Sequence, residues 1–418
     1  MNSSKLTLDL AVIGGGAAGM AAAIAAYDGG IKNIAIFEIS DRLGGVLGQC
    51  IHSGFGLHTF GEELTGPEYS ARFEKEVHSR GISVYLQSPV TELRPDRTMT
   101  VVSRDMGVTE VAAKAIVIAQ GCRERPAGAI GLDGTRPAGV LTAGTAQKYV
   151  NIDGYMVGKR VVILGSGDIG LIMARRMTLE GAKVLCVCEL MPYSNGLNRN
   201  IVQCLDDYGI PLRLSCTVVG LEGRERLTGV RVAPVDPETL KPDLDRTELI
   251  PCDTLLLSVG LIPETGLATD AGAALGTNRG LEVSTQRETS IPGVFAAGNV
   301  VHVHDLVDYA AEEGHIAGRA AAEYLLNGEN ASPTALTAAG NGISYVVPTK
   351  LTLPAEKAEL SFRVKRVFKK ATLLCKQGER VICEKKRSIM LPGEMEKLTV
   401  PTDSLSPGEL ITVEVKEA

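Results

Sequence analysis

The sequence predicts an α/β fold in which one strand–helix–strand unit is used twice, followed by a small all-β domain at the C-terminal end. Three observations predict it. A buried-strand pattern running into a glycine-rich turn occurs at residues 6–19 and returns at 160–170. Both turns lead into a helical stretch and then a second apolar strand, at 33–38 and 183–189. From Ile343 onward the pattern changes to short strands with turns at Gln377-Gly378, Pro392-Gly393 and Pro407-Gly408, which reads as a small sandwich.

In chain order, residues 6–13 form a strand that ends at Gly14, residues 17–28 are Ala-rich and helical, and 33–38 form the next strand. This is a βαβ unit. The same order returns as strand 160–164, a helix from about Gly167 to Glu180, and strand 183–189. Self-similarity on this scale is the largest organisational fact in the chain. Ala115–Ala119 ends at Gln120-Gly121 and Thr254–Val259 ends at Gly260, each reading as the closing strand of its own sheet. A helix from about Leu306 to Leu326 stops at Asn327-Gly328-Glu329-Asn330. The expected domains are therefore 1–141 with 261–330, then 142–260 inserted between them, a linker at 331–342 rich in Ala, Ser, Thr, Gly and Pro, and an all-β domain at 343–418.

Length and composition narrow the function classes. The chain has 418 residues, 44% of them hydrophobic, with a net charge of −6. That suits two or three globular domains. No long basic run stands out in the first 330 residues, so nucleic acid is a poor main ligand. Met1–Lys5 carries no signal-peptide pattern and apolar runs stop short of a membrane span, so a cytoplasmic protein is expected. The nine cysteines are odd in number and include no C-x-x-C pair, which argues for reduced thiols.

The chemistry begins at Gly14-Gly15-Gly16-Ala17-Ala18-Gly19, a G-x-G-x-x-G between a strand and a helix. Gly14 permits the tight turn, Gly16 lets a pyrophosphate approach the backbone, and Gly19 lets helix and strand pack closely. The helix N-terminus offers unpaired N–H groups to phosphate. Glu38 ends the second strand, where a carboxylate accepts the ribose hydroxyls. Gly165-Ser166-Gly167-Asp168-Ile169-Gly170 repeats the pattern with Glu189 at its strand end. An acid there favours the free 2′-hydroxyl of NAD(H), and no Arg stands in the next residues, Leu190-Met191-Pro192-Tyr193, to hold the 2′-phosphate of NADP. Two such sites imply two cofactors that exchange electrons, and nicotinamide with flavin is the usual pair.

Thr289-Ser290-Ile291-Pro292-Gly293-Val294-Phe295-Ala296-Ala297-Gly298-Asn299 resembles the second FAD motif of the pyridine nucleotide–disulfide oxidoreductase superfamily, which contains thioredoxin reductase. The resemblance extends from residue 6 to about 328. It is closest to the flavin subunits of heteromeric sarcosine and opine oxidases, cyanide synthase and proline dehydrogenase, and to the flavoprotein found beside glycerol-3-phosphate dehydrogenase. Leu43–His52, Gly121–Pro126, Arg136–Val140, Thr142–Gln147 and Gly298–Asp305 carry it. It implies FAD and NAD as cofactors, with Gly45, Val46, Leu47 and Gln49 along the isoalloxazine and Val90 at the adenine. It implies Gly121 and Gly260 closing the two sheets, and Gly298 with Asn299 at the ribityl and phosphate region. Asn299 stands where the family usually has Asp. The helix beginning near Asp308-Tyr309-Ala310 would turn its N-terminus to the flavin, with Tyr309 beside it.

The family's disulfide reductases need two thiols, and neither C-x-x-C nor C-x4-C occurs here. Cys186 and Cys188, which alternate in one strand, are expected not to face one site. Cys50 follows the segment along the flavin: a redox-active thiolate and a small packing residue are both open readings. His304, with His302, is a candidate for proton relay or substrate binding, against an ordinary hydrogen-bonded role. No metal site is expected. Residues 363–387 hold ten basic and two acidic side chains, a surface for an acidic partner or a set of solvated strand faces. The expected protein is an FAD-dependent oxidoreductase exchanging hydride with NAD(H), an oligomer or the partner of a second flavoprotein or small electron-transfer subunit. A non-autonomous subunit of a glycerol-3-phosphate or amine dehydrogenase and a single-cysteine NADH oxidase are the alternatives.

Overall fold

The computed structural model describes residues 4–329, 332–353 and 357–417. The chain forms two compact units, one from Met1–Cys122 with Pro263–Ala418 and one from Arg123–Ile262.

The first unit is built on a seven-stranded sheet. Strand Ser4–Ile13 lies at its centre, parallel to Ile34–Phe37 on one side and Gly107–Ile118 on the other. Gly107–Ile118 changes partners along its length. Its first half pairs antiparallel with Thr98–Ser103, and its end pairs parallel with Val294–Ala296. The burial follows: positions alternate in the first half, whereas Ala115–Ile118 are fully buried, as a parallel strand covered on both faces requires. Helix Ala17–Asp28 is buried from Ala17 through Ala26, and its small side chains make that possible. Helix Val307–Asn327 lies against it. A Cβ at Gly314 would sit 2.2 Å from the Ala18 carbonyl oxygen, and one at Gly318 would sit 2.1 Å from that of Ala22. Two glycines four apart thus let these helices meet backbone to backbone. Filling that contact would cost on the order of 1–3 kcal/mol or more.

The C-terminal strands belong to this same unit. They form a five-stranded sheet in the order Lys350–Thr352, Thr334–Ala339, Ile411–Glu417, Phe368–Gln377, Arg380–Met390, and a three-stranded sheet of Ile343–Val347, Lys357–Val364 and Glu396–Pro401. Leu360, Phe362, Leu373, Val400 and Val413 are buried in their common core. The linker expected at 331–342 holds the strand Thr334–Ala339, whose small residues pair with Lys350–Thr352 and Ile411–Glu417; residues 330 and 331 lie outside the described residues.

The second unit has a five-stranded parallel sheet in the order Val140–Thr142, Thr254–Leu257, Arg160–Leu164, Lys183–Cys188, Leu212–Arg213. The unit runs from Arg123, and its edge strand Val140–Thr142, paired with Thr254–Leu257, spans the boundary expected between 141 and 142. An antiparallel sheet of Cys216–Gly223, Leu227–Pro234 and Glu248–Ile250 completes it. Cys186 and Cys188 correct the sequence reading. Residues two apart on a strand share a face, and their sulfurs lie 3.9 Å apart in the apolar core with Cys216. Among the described residues no helix is long and apolar enough to cross a membrane.

Candidate functional site

The first glycine turn is shaped by close approach. A Cβ at Gly14, whose φ is +103°, would lie 2.4 Å from the Ala119 carbonyl oxygen, and one at Gly19 would lie 1.9 Å from that of Gly14. Gly16 is different: a Cβ there meets nothing within 4 Å, and no side chain caps the helix it begins. The turn therefore opens at the N-terminal end of a helix, where N–H groups attract anions. Glu38 is buried behind it, with Oε2 accepting from Gly15 N (2.7 Å) and Oε1 from Ser40 N (2.8 Å). A carboxylate has about four acceptor positions, so this one is oriented by the backbone with capacity left for ribose hydroxyls.

The neighbouring segments are tied to this turn. Gly44 N donates to Gly15 O at 2.8 Å, suspending the turn Gly45–Gln49 beside it. Ser88 N donates to Glu38 O at 2.8 Å, placing Val90 two residues away at the start of the strand Val90–Leu93. Ile39 and Val46 are 71% and 60% exposed, an unusual state for such side chains beside a polar turn. A dinucleotide fits this lining: open space at Gly16, a fixed acid at Glu38, apolar surface at Ile39 and Val46. Leu47 does not join the lining, because its side chain is buried in the core below.

Gly298 docks the second motif on the first, where a Cβ would lie 2.9 Å from that of Ala18. Asn299 is held at both ends of its amide, Oδ1 accepting from His304 N (3.0 Å) and Nδ2 donating to Cys122 Sγ (3.5 Å). Gly121, at φ +70°, accepts Glu264 N on its carbonyl. The Tyr309 ring lies between His58, 5.5 Å away, and the Lys397 ammonium, 3.9 Å from its centroid. Asp308, which the sequence reading did not single out, accepts from Gly56 N, Thr59 N and Thr59 Oγ1 and ties the helix start to that loop.

The two candidate reactive residues lie in different surroundings. Cys50 Sγ donates to the Val46 carbonyl, and burial pushes its thiol up to about 12, so it is protonated at neutral pH. A thiolate is the nucleophile in sulfenic chemistry. His304 turns its ring into a buried cluster, and only its backbone reaches Asn299. That cluster centres on Glu313, whose Oε1 meets His302 Nε2 at 2.9 Å and Arg287 Nη2 at 3.1 Å. Its Oε2 accepts Gly298 N at 3.0 Å and lies 3.1 Å from His304 Nε2. His302, His304 and Glu313 form a donor set of metal-binding type. The Arg287 guanidinium already supplies the charge that balances the carboxylate. A charged residue beside the Gly314–Gly318 face was the available sequence signal for Glu313.

The cluster predicts a pH dependence. Burial pushes His302 from 6.5 down to about 4, the neighbouring Glu313 only partly opposing it. Burial would raise Glu313, but Arg287 and the two histidines outweigh it and hold the group well below the usual carboxylate range. Between pH 6.5 and 4 the unfolded His302 binds a proton that the folded one does not. Stability therefore falls as pH falls through this window, by about 3 kcal/mol from this histidine, and Glu313 adds loss of the same sign at lower pH. Urea midpoints measured from pH 7 to 4 should fall steeply in the wild type and less steeply in His302→Asn. Equal slopes would contradict the assignment.

The second turn repeats the first. A Cβ at Gly165 (φ +97°) would lie 2.1 Å from Ser258 O, and one at Gly170 would lie 2.7 Å from Gly165 O. Gly167 begins the helix Asp168–Leu179 with no side-chain cap, but a Cβ there would lie 3.3 Å from Ser258 Oγ, so the space is tighter than at Gly16. Glu189 is buried, its Oε2 accepting Ser166 N (2.9 Å) and Oγ (2.6 Å) and its Oε1 accepting Met191 N (2.9 Å). Asp168 spends its carboxylate on Leu197 N and Asn200 Nδ2, and Ile169 packs on the core. Gly260 (φ +100°) accepts Arg125 N on its carbonyl.

The chain is similar to known proteins. The family model for pyridine nucleotide-disulphide oxidoreductases matches residues 8–314. Hydrogen cyanide synthase subunit HcnB of Pseudomonas protegens is 26% identical over 346 residues, 77% of this chain and 71% of that protein. One subunit of the opine oxidase of Rhizobium meliloti is 27% identical, and the match covers 75% of this chain and 61% of the relative. The structure of T. acidophilum thioredoxin reductase superposes with a TM-score of 0.64 at 25% identity, over 77% of this chain and 99% of that one.

Proposed function

The chain belongs to the pyridine nucleotide-disulphide oxidoreductase family, and from that premise we propose that it exchanges hydride between NAD(H) and an FAD held at the first glycine turn, without a redox dithiol, and passes electrons to a partner subunit or small acceptor. Its activity is flavin-dependent NAD(P)H oxidation–reduction. The observation that carries the finer reading is the duplication of one device, a buried glutamate accepting backbone N–H groups behind a glycine turn that begins an uncapped helix, in a chain with no C-x-x-C. Bound at these turns, flavin and nicotinamide supply two rings between which a hydride moves. Glu38 and Glu189 accept ribose hydroxyls, and the two helix N-termini hold pyrophosphate. The Glu189 carboxylate disfavours a 2′-phosphate, which selects NAD(H).

Anaerobic titration of the FAD-loaded protein with NADH and NADPH tests this. NADH should bleach the flavin band near saturation at lower concentration than NADPH. A preference for NADPH would remove the role given to Glu189.

A second reading makes the chain one subunit of a larger dehydrogenase. Two relatives are subunits by name. The basic stretch 363–387 supports this less than its composition suggests. Arg363, Arg366, Lys376 and Arg387 pair with Asp305, Glu417, Glu414 and Glu396. Lys365, Lys369, Lys370 and Lys386 remain exposed and without an ion-pair partner among the described residues, Lys386 on the edge strand Arg380–Met390. An acidic partner would dock there, and co-purification with such a subunit that is lost in Lys369→Glu/Lys370→Glu would support the reading. The single-cysteine oxidase reading is disfavoured by the protonated Cys50.

A further inference from the structure

The C-terminal strands lie beyond the 8–314 family match, yet they are joined to the first unit along two seams. In one, Thr285 N donates to Lys350 O (2.9 Å), Thr349 N donates to Val283 O (3.0 Å), and Thr352 N donates to Thr285 Oγ1 (2.8 Å). In the other, groups of the β domain converge on residues 302–309, which run from just after the Gly298-Asn299 motif into the first turn of the helix Val307–Asn327. Arg363 reaches Asp305 Oδ1, Val303 O at 3.1 Å, and its own domain's Gly393 O at 2.5 Å. Met395 N donates to Asp305 Oδ2 at 2.6 Å. Tyr345, the cross-strand neighbour of Arg363, meets the His302 ring edge-on at 6.2 Å, and Lys397 covers Tyr309.

The side chains of Arg363 and Asp305 are only 17% and 20% exposed. A charge pair this far from water is held by its geometry and the hydrogen bonds that complete it. A guanidinium is suited to this place because its planar fork serves several oxygens at once, which an ammonium does not. The segment it holds has two duties at the flavin site. His304 N fixes Asn299 Oδ1, and Leu306 sets the uncapped start of the helix Val307–Asn327. His302 carries the constraint further, through Glu313 to Gly298 N.

We propose that Arg363 is a positioning residue for FAD, so that the C-terminal domain completes the flavin site instead of being an appended docking module. The proposal rests on the flavin reading of the first glycine turn. Arg363 touches no part of the glycine turns. It acts through Asp305 and Val303 on Asn299 and on the start of the helix.

The test uses the full chain, with FAD affinity measured by ultrafiltration and the flavin environment by visible circular dichroism. The double variant Arg363→Gln/Asp305→Asn removes both charges and leaves neither one orphaned. It should fold, bind FAD at least tenfold more weakly, and show altered flavin dichroism. Arg363→Lys keeps the charge without the fork and should fall between wild type and double variant. Glu384→Gln, on the exposed edge strand of the same domain, should change nothing. Unchanged affinity and dichroism in the double variant would overturn the proposal. If the double variant does not fold, Arg363→Lys carries the same two outcomes. A wild-type chain that binds no FAD would fail the flavin reading itself, which separates the two failures.

Discussion

Replacing Gly16 with valine is expected to give a folded protein that no longer holds FAD. Gly16 has an extended backbone, φ −76° and ψ −172°, which any residue adopts, and open space where its Cβ would be. The substitution therefore strains nothing in the apoprotein. It fills the gap through which a pyrophosphate must reach the backbone N–H groups of the helix Ala17–Asp28. Losing two or more charge-assisted hydrogen bonds, each about 1.5–3 kcal/mol, weakens FAD binding by at least a hundredfold. Gly14→Val is the contrasting variant. Its positive φ and the 2.4 Å approach of Ala119 O belong to the fold itself, so it should lose folded protein before it loses cofactor selectively. Thermal melting of the two apoproteins, beside FAD affinity, separates the effects. A Gly16→Val protein that purifies yellow with full flavin content would show that the open space at Gly16 is not the phosphate site.

At the second turn the largest effect is expected from Glu189→Gln. The carboxylate accepts three protein hydrogen bonds, two from Ser166 and one from Met191. An amide keeps one acceptor end and turns an N–H₂ toward donors at the other. Loss of a charged acceptor for the ribose should weaken NADH by about 10–100-fold, at about 1.5–3 kcal/mol. NADPH should lose less, because the repulsion of its 2′-phosphate also disappears. The ratio of kcat/KM for NADH over NADPH should shrink by about tenfold, while FAD content stays at the wild-type level. An unchanged ratio would mean that Glu189 serves only to hold Ser166 and the loop after it.

The elements proposed to hold cofactor were the ones most legible in the sequence, for a physical reason. Gly14, Gly19, Gly165 and Gly170 are required by backbone contacts of 1.9–2.7 Å, so the pattern reports a constraint that no other residue satisfies. The fully buried parallel strands likewise appear as continuous apolar runs. Glu313 and Asp308 were not legible, because their partners lie on other elements: Arg287, His302 and Gly298 for one, Gly56 and Thr59 for the other. The Cys186–Cys188 reading failed on strand periodicity. The basic character of residues 363–387 was visible, but its partners were not: Asp305, Glu414 and Glu417 stand well away in sequence, 38 to 58 residues, from the side chains they pair with. For the same reason composition alone suggested a free surface where Arg363 makes a largely shielded contact.

Two dinucleotide sites are proposed to exchange hydride with no sulfur relay. The most direct measurement is anaerobic stopped-flow reduction of FAD-loaded protein whose accessible thiols have been alkylated, using NADH carrying deuterium at the transferred position. Full bleaching of the flavin band is expected, at the rate of untreated protein, with a primary isotope effect. Flavin that stays oxidised after alkylation, while untreated protein is reduced, would contradict it.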